Sequence, residues 1–181
     1  MRQHALLCVV ALAILCPPLA GETGEAAAWK TFTSKEGGFR VSMPGTPALT
    51  EATHKSVVGV VREYTYALET RNGDYSANYS VLPGIAVNLG GANAILDRAK
   101  KGLLQDVGGE ETRFTDTAIS GHPGKELTFR VRAAGGAKPM SGRARFYLVN
   151  KILYVLVATS STPNDPDVSR FLDSFRLSRP G

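Results

Sequence analysis

Residues 57–82 read VVGVVREYTYALETRNGDYSANYSVL, the strongest local signal in the chain. Two runs rich in Val and Tyr flank Arg71-Asn72-Gly73-Asp74. Asn-Gly between β-rich runs is the preferred centre of a two-residue hairpin turn, because both residues tolerate a positive φ. Centred there, the hairpin pairs Tyr66 with Tyr79, Tyr64 with Val81 and Leu68 with Ala77. On its other side Thr65 meets Ser80 and Ala67 meets Asn78. One face is apolar and the other polar, and a slip of one residue would exchange them. The tyrosine pairs read as sheet packing rather than as a ligand platform.

Upstream, Trp29-Lys30-Thr31-Phe32 opens the folded part. A short strand follows, with Phe39, Val41 and Met43 on one face, and Pro44-Gly45-Thr46-Pro47 stops it. Downstream, residues 83–91 read as a loop and 92–107 as a helix. Ile95, Leu96, Ala99, Leu103 and Val107 form its apolar stripe, and Lys100 and Lys101 lie on a solvated face. Gly108-Gly109 ends it. Strands are expected at 112–119, 125–133, 143–149 and 151–159, with turns at 120–124 and at Asn150-Lys151. The last of these strands is continuously apolar over 152–157 and should be central. Asn164-Asp165-Pro166-Asp167 caps a final helix over 166–177, with Val168, Phe171, Leu172 and Phe175 on its apolar stripe. There is no βαβ alternation. The expectation is an α+β domain, an α/β/α sandwich with a twisted, mainly antiparallel sheet flanked by the two helices.

The N-terminus carries a different signal. Met1-Arg2-Gln3-His4 precedes an apolar run over 5–16, broken by Pro17-Pro18. Such a run rises only about 18 Å as a helix, short of a hydrocarbon core of about 30 Å. A cationic start, a short apolar run and small residues make a secretory signal. The reading is a signal peptide over 1–20 with cleavage between 20 and 28, a flexible leader over 21–28, and a single domain over 29–179. The protein is then exported, periplasmic or secreted, and not transmembrane after cleavage. A lipoprotein is the alternative, although Cys8 and Cys16 each follow Leu rather than a small residue.

Cleavage removes both cysteines, and with them any disulfide, thiol nucleophile or Cys-ligated metal. Apolar residues make up 43% and charged residues 20%, as in an ordinary globular domain. His54 and His122 are the remaining histidines. Neither has a partner at metal-ligand spacing, so both read as solvated loop residues, with no metal and no cofactor expected. The net charge of +5 becomes +4 on removal of 1–20 and +6 on removal of 1–28. That balance is too modest for a nucleic-acid partner. No nucleophile elbow, phosphate loop, zinc-protease helix or calcium loop occurs. Gly90-Gly91 precedes a helix but lacks the rest of a phosphate loop.

One constellation stands out. Arg130 and Arg132 alternate with Phe129 and Val131, and Arg143 and Arg145 with Ala144 and Phe146. If residues 134–141 close a symmetric hairpin, Arg132 faces Arg143 and Arg130 faces Arg145. Like charges opposite one another destabilise a sheet. Either neighbouring carboxylates neutralise them or the four bind an anionic partner: a carboxylate or phosphate ligand, a lipid headgroup or an acidic protein surface.

The order of motifs resembles the PsbP-like superfamily. The residues that carry this are Trp29-x-x-Phe32, Gly38-Phe39-x-Val41-x-Met43-Pro44, the aromatic hairpin and Gly121-x-Pro123-Gly124. The apolar strand at 152–157 and Phe171-Leu172-x-Ser174-Phe175 complete the set. The superfamily includes the extrinsic protein of photosystem II, the Mog-type Ran-binding factor and small exported bacterial proteins of DcrB type. The resemblance implies the α/β/α sandwich and a non-catalytic role in binding proteins or assemblies. No photosystem-binding segment or Ran-binding motif is matched, so no functional residue is transferred. The expected function is a non-enzymatic exported accessory or interaction domain with an unknown protein partner in the envelope or extracellular space. A small-ligand or lipid-binding exported domain is the alternative.

Overall fold

The structure is a computed structural model that describes residues 28–56, 59–131 and 139–178. The expected signal peptide, the leader up to residue 27 and Arg132 lie outside the described residues.

A seven-stranded antiparallel sheet forms the body of the domain. It contains β3 (Ala48–Ser56), β4 (Gly59–Glu69), β5 (Asp74–Val81), β6 (Gly109–Ile119), β7 (His122–Val131), β8 (Met140–Val149) and β9 (Ile152–Ser160). Their order across the sheet is β3-β4-β5-β9-β8-β7-β6. The apolar strand β9 is central, as its continuous run predicts. A second sheet joins β1 (Lys30–Ser34), β2 (Phe39–Met43) and β10 (Arg176–Leu177) in the order β1-β2-β10. The helices are α1 (Gly84–Asp106) and α2 (Pro166–Ser174).

The α/β/α sandwich is therefore not what forms. The described chain is mostly β, with ten strands in two antiparallel sheets and two helices. One face of the large sheet is covered by the three-stranded sheet together with the short helix α2. Phe39, Val41 and Met43 pack there with Tyr66, Tyr75, Tyr79, Tyr154, Phe171 and Phe175. On the other face α1 packs on β6, β7 and β8, where Leu96 meets Leu127, Phe129, Ala144 and Phe146. The same face of β3–β5 is polar, carrying Thr50, Glu63, Thr65 and Asn78. Two segments account for the difference. Residues 48–56, which follow a proline-rich stop, pair along β4, and residues 176–177 leave the helix to pair with β2. A strand this polar carries no alternation signal, and its partner supplies the reason it is extended.

Helix α1 also begins earlier than its stripe suggests. Residues 84–90 are helical, and Gly91 breaks the helix with φ 65° and ψ 161°. Glycine takes that conformation without the penalty a Cβ would bring. The apolar periodicity restarts after this kink, so the sequence shows only the second part as a helix.

The hairpin of β4 and β5 forms with its apolar and polar faces as expected, but two residues out of register. Tyr64 pairs with Tyr79, Tyr66 with Ala77 and Leu68 with Tyr75. A slip of two keeps every side chain on its face. The Tyr64 and Tyr79 rings stack with centroids 4.7 Å apart. Residues 70–73 make the connection, and the Thr70 backbone N–H donates to the Gly73 carbonyl at 3.0 Å. Gly73 does not adopt a positive φ. Glycine is needed there for another reason: a Cβ would lie 1.9 Å from the backbone oxygen of Thr159.

Candidate functional site

Strand alternation puts Glu126, Thr128 and Arg130 of β7 on one face with Ser141, Arg143 and Arg145 of β8. This is the face on which α2 lies. The register differs from the symmetric hairpin by four residues. Arg145 stands opposite Glu126, Arg143 opposite Thr128 and Arg130 opposite Ser141. An even slip leaves the arginines on their predicted face while removing the clash of like charges. Arg132 is outside the described residues.

Glu126 neutralises two of the four. Arg143 Nη2 lies 2.6 Å from its Oε1 and Arg145 Nε 2.6 Å from its Oε2. Burial alone would raise the Glu126 pKa; the hydrogen bonds from Arg143 and Arg145 outweigh it and hold the carboxyl below its ordinary value. Arg145 also donates to Asp173 at 2.7 Å and to the Leu172 carbonyl at 3.0 Å. All three of its nitrogens are thus engaged, and its role is to tie the sheet to the C-terminal turn of α2. Arg143 Nη1 donates to Ser169 Oγ at 2.8 Å. A guanidinium has five N–H donors, so Arg143 keeps three beyond these two contacts. Arg130 is exposed.

Arg130 and Arg143 line a cleft of about 390 Å³ between the sheet and α2. Thr112, Thr128, Ser141 and Ser169 share its walls, the Thr112 hydroxyl donating to the Thr128 carbonyl at 2.9 Å. The far wall is the connection from β9 into α2. There Asp165 caps the helix, accepting from the Asp167 N–H at 2.9 Å and from the Ser160 hydroxyl at 2.7 Å. Convergent guanidinium and hydroxyl donors suit a carboxylate or another small anion. Sequence alternation carries the signal for Thr128, Ser141 and the arginines. Ser169 and the 162–164 loop come from the tertiary placement of α2, which no local pattern encodes.

The histidines lie in strands, not loops. His54 in β3 places Nε2 3.3 Å from Glu63 Oε2 across the β3–β4 pair, and His122 begins β7. Lys100, expected on a solvated face, is paired with Glu111 at 2.8 Å and lies 4.2 Å from the Phe114 ring centre. Among the described residues, no group of three or more His, Cys, Asp or Glu could hold a metal ion. No described helix is long and apolar enough to cross a membrane.

No family model and no curated protein matches the chain. Among solved structures it is similar to the cyanobacterial PsbP protein (CyanoP) of Synechocystis sp. PCC 6803, with a TM-score of 0.56 at 18% identity. The match covers 89% of this chain and 99% of that one. A second structure, the Pseudomonas aeruginosa protein of unknown function PA94, matches with a TM-score of 0.39 at 12% identity over 77% of this chain and 86% of that one. The first likeness defines a domain of PsbP-like fold. At that identity it speaks for the fold alone.

Proposed function

We propose that the protein is an exported, non-enzymatic accessory domain that binds its partner by receiving a carboxylate in the cleft between β7, β8 and α2. The observation that carries this reading is the pair Arg130 and Arg143 in a hydroxyl-lined cleft, with Arg143 held in place by Glu126 and Ser169. A positioned guanidinium loses less freedom on binding than a mobile one. The PsbP-like fold and the secretory pattern of residues 1–20 support the accessory and exported parts.

Charge balance narrows the ligand. Around the cleft Arg130, Arg143 and Arg145 are accompanied by Glu126, Asp165 and Asp173, and Glu110 stands opposite Arg130 across the β6–β7 pair, so the surroundings carry no excess of positive charge. A local field near neutrality favours one short-range, hydrogen-bonded carboxylate over a polyanion, whose affinity depends on summed charge. The cleft volume also falls in the range of small-ligand sites, which keeps a free small carboxylate as the second reading.

The test is titration of isotope-labelled protein with acetyl-Gly-Glu-Gly-amide, followed by NMR. Shifts should concentrate at Arg130, Ser141, Arg143 and Ser169 and should weaken about tenfold in Arg130→Gln. An unchanged response in Arg130→Gln would remove the cleft from the reading. A bound small mass in protein purified from its own host would favour the free ligand. N-terminal sequencing of protein from the envelope or medium should begin between residues 21 and 29.

A further inference from the structure

The two edges of the seven-stranded sheet are finished differently. At one edge, β6 is broken by a register shift between Glu111 and Arg113, and α1 lies against it, with Lys100 paired to Glu111. A bulge and a covering helix both keep an edge from pairing with another chain. At the other edge, the register of β3 with β4 runs unbroken from Ala48 to Ser56, and no proline interrupts the strand. Residues 48–54 are all exposed. β3 has a single neighbour in the sheet, so its outer side offers the backbone groups that would extend the ladder by one more strand.

We infer that β3 is the contact through which two copies of this chain pair, edge to edge and antiparallel, about a two-fold axis at Thr53. The strand's own sequence names a second copy as the occupant. With Thr53 on the axis, position 51 of each copy meets position 55 of the other. A glutamate then stands opposite a lysine, and symmetry makes the pair occur twice. Thr53 meets Thr53, Ala52 meets His54 and Thr50 meets Ser56. Opposite charges and paired threonines are favourable directly across two strands. Moving the axis to any other residue of β3 leaves no glutamate opposite a lysine, so charge selects one register. A foreign strand would have to carry this charge order, whereas a second copy supplies it by symmetry, as an isologous interface requires. The cleft is lined from β7, β8 and the segment leading into α2, away from β3 in the strand order, so pairing leaves it open.

The experiment is analytical ultracentrifugation of the protein purified from its own host, over a range of concentrations. A reversible dimer is expected. Glu51→Lys sets lysine against lysine twice and should weaken the dimer about tenfold, and Lys55→Glu should do the same with two glutamate pairs. Combining Glu51→Lys with Lys55→Glu re-creates both pairs in the opposite sense and should restore the affinity to within about twofold. That rescue reports the register itself, because a folding defect in either single variant would persist in the double one. Three results would each overturn the inference. One is a chain that stays monomeric throughout, which leaves the edge to a strand of another protein. The second is a dimer that neither single reversal weakens. The third is a double variant as weak as the single ones. The peptide titration of the cleft should be unchanged in Glu51→Lys, so this inference and the carboxylate reading fail separately.

Discussion

Two residues illustrate how differently single positions depend on their surroundings. Gly73 sits in a turn, yet the turn does not require its flexibility; the close approach of the Thr159 backbone does. Gly73→Ala should therefore destabilise the domain by about 2–4 kcal/mol, because backbone rather than a mobile side chain would have to move. Thermal unfolding would measure it, at roughly 2–4 °C per kcal/mol for a domain of this size. Glu126 is the opposite case, a charge whose value lies in its partners. Glu126→Gln leaves two guanidiniums short of a counter-charge and should cost about 2–3 kcal/mol at pH 7, moderated because the three side chains retain 17–30% exposure. Its folded pKa is depressed, so this stabilisation is complete above the ordinary glutamate value of 4.5 and declines as pH falls through the lower folded value. Denaturant titrations of the two proteins should converge in acid and stay apart between pH 5 and 7. That Arg130, Arg143 and Arg145 share a face was legible from alternation alone. Its neutralisation was not, since Glu126 and Asp173 meet Arg145 only through a strand register and a helix placement that no local pattern specifies.

Elements were legible where periodicity and caps agreed, and missed where one partner imposes its shape on another. Helix α2 begins where Asp165 and Pro166 place it, and Asp165 makes the cap contact expected of it. Asp165→Ala should cost about 1 kcal/mol by exposing the Asp167 N–H, and more if loss of the Ser160 contact loosens the preceding loop. Circular dichroism melts would show it, and carboxylate binding should weaken in parallel because that loop walls the cleft. The turn at Asn150-Lys151 forms, and the turn expected over 120–124 is confined to Ser120-Gly121, since His122, Pro123 and Gly124 already pair in β7; Ser120 and Asn150 both have positive φ. Both hairpins that were misread slipped by an even number of residues. Burial of one face penalises odd slips strongly, whereas even slips are decided by loop closure and individual contacts. Strands β3 and β10 escaped because neither carries an alternating apolar face of its own. They are extended because β4 and β2 present open edges to them.

At the scale of the whole molecule the aromatic core sets an upper limit on pH. Burial, with nearby carboxylates adding to it, pushes the phenols of Tyr75 and Tyr79 up to about 12, and burial also raises Tyr147 and Tyr154. Between the ordinary value of 10 and about 12 the unfolded chain loses protons that the folded one keeps, so stability falls as pH rises through that interval. The share of the near-ultraviolet tyrosinate band that belongs to these four rings should therefore develop late, together with unfolding. A titration that reached completion near pH 10 with the fold intact would contradict the packing of these rings. The strand pairing of β10 with β2 has a further consequence, in time rather than in energy. Phe175 touches the rings of Phe39, Tyr147 and Tyr154, so the core is complete only when residues from both ends of the domain have met. Contacts so distant in sequence slow folding. A chain emerging from its N-terminus can close this aromatic cluster only once residues 171–175 have been released.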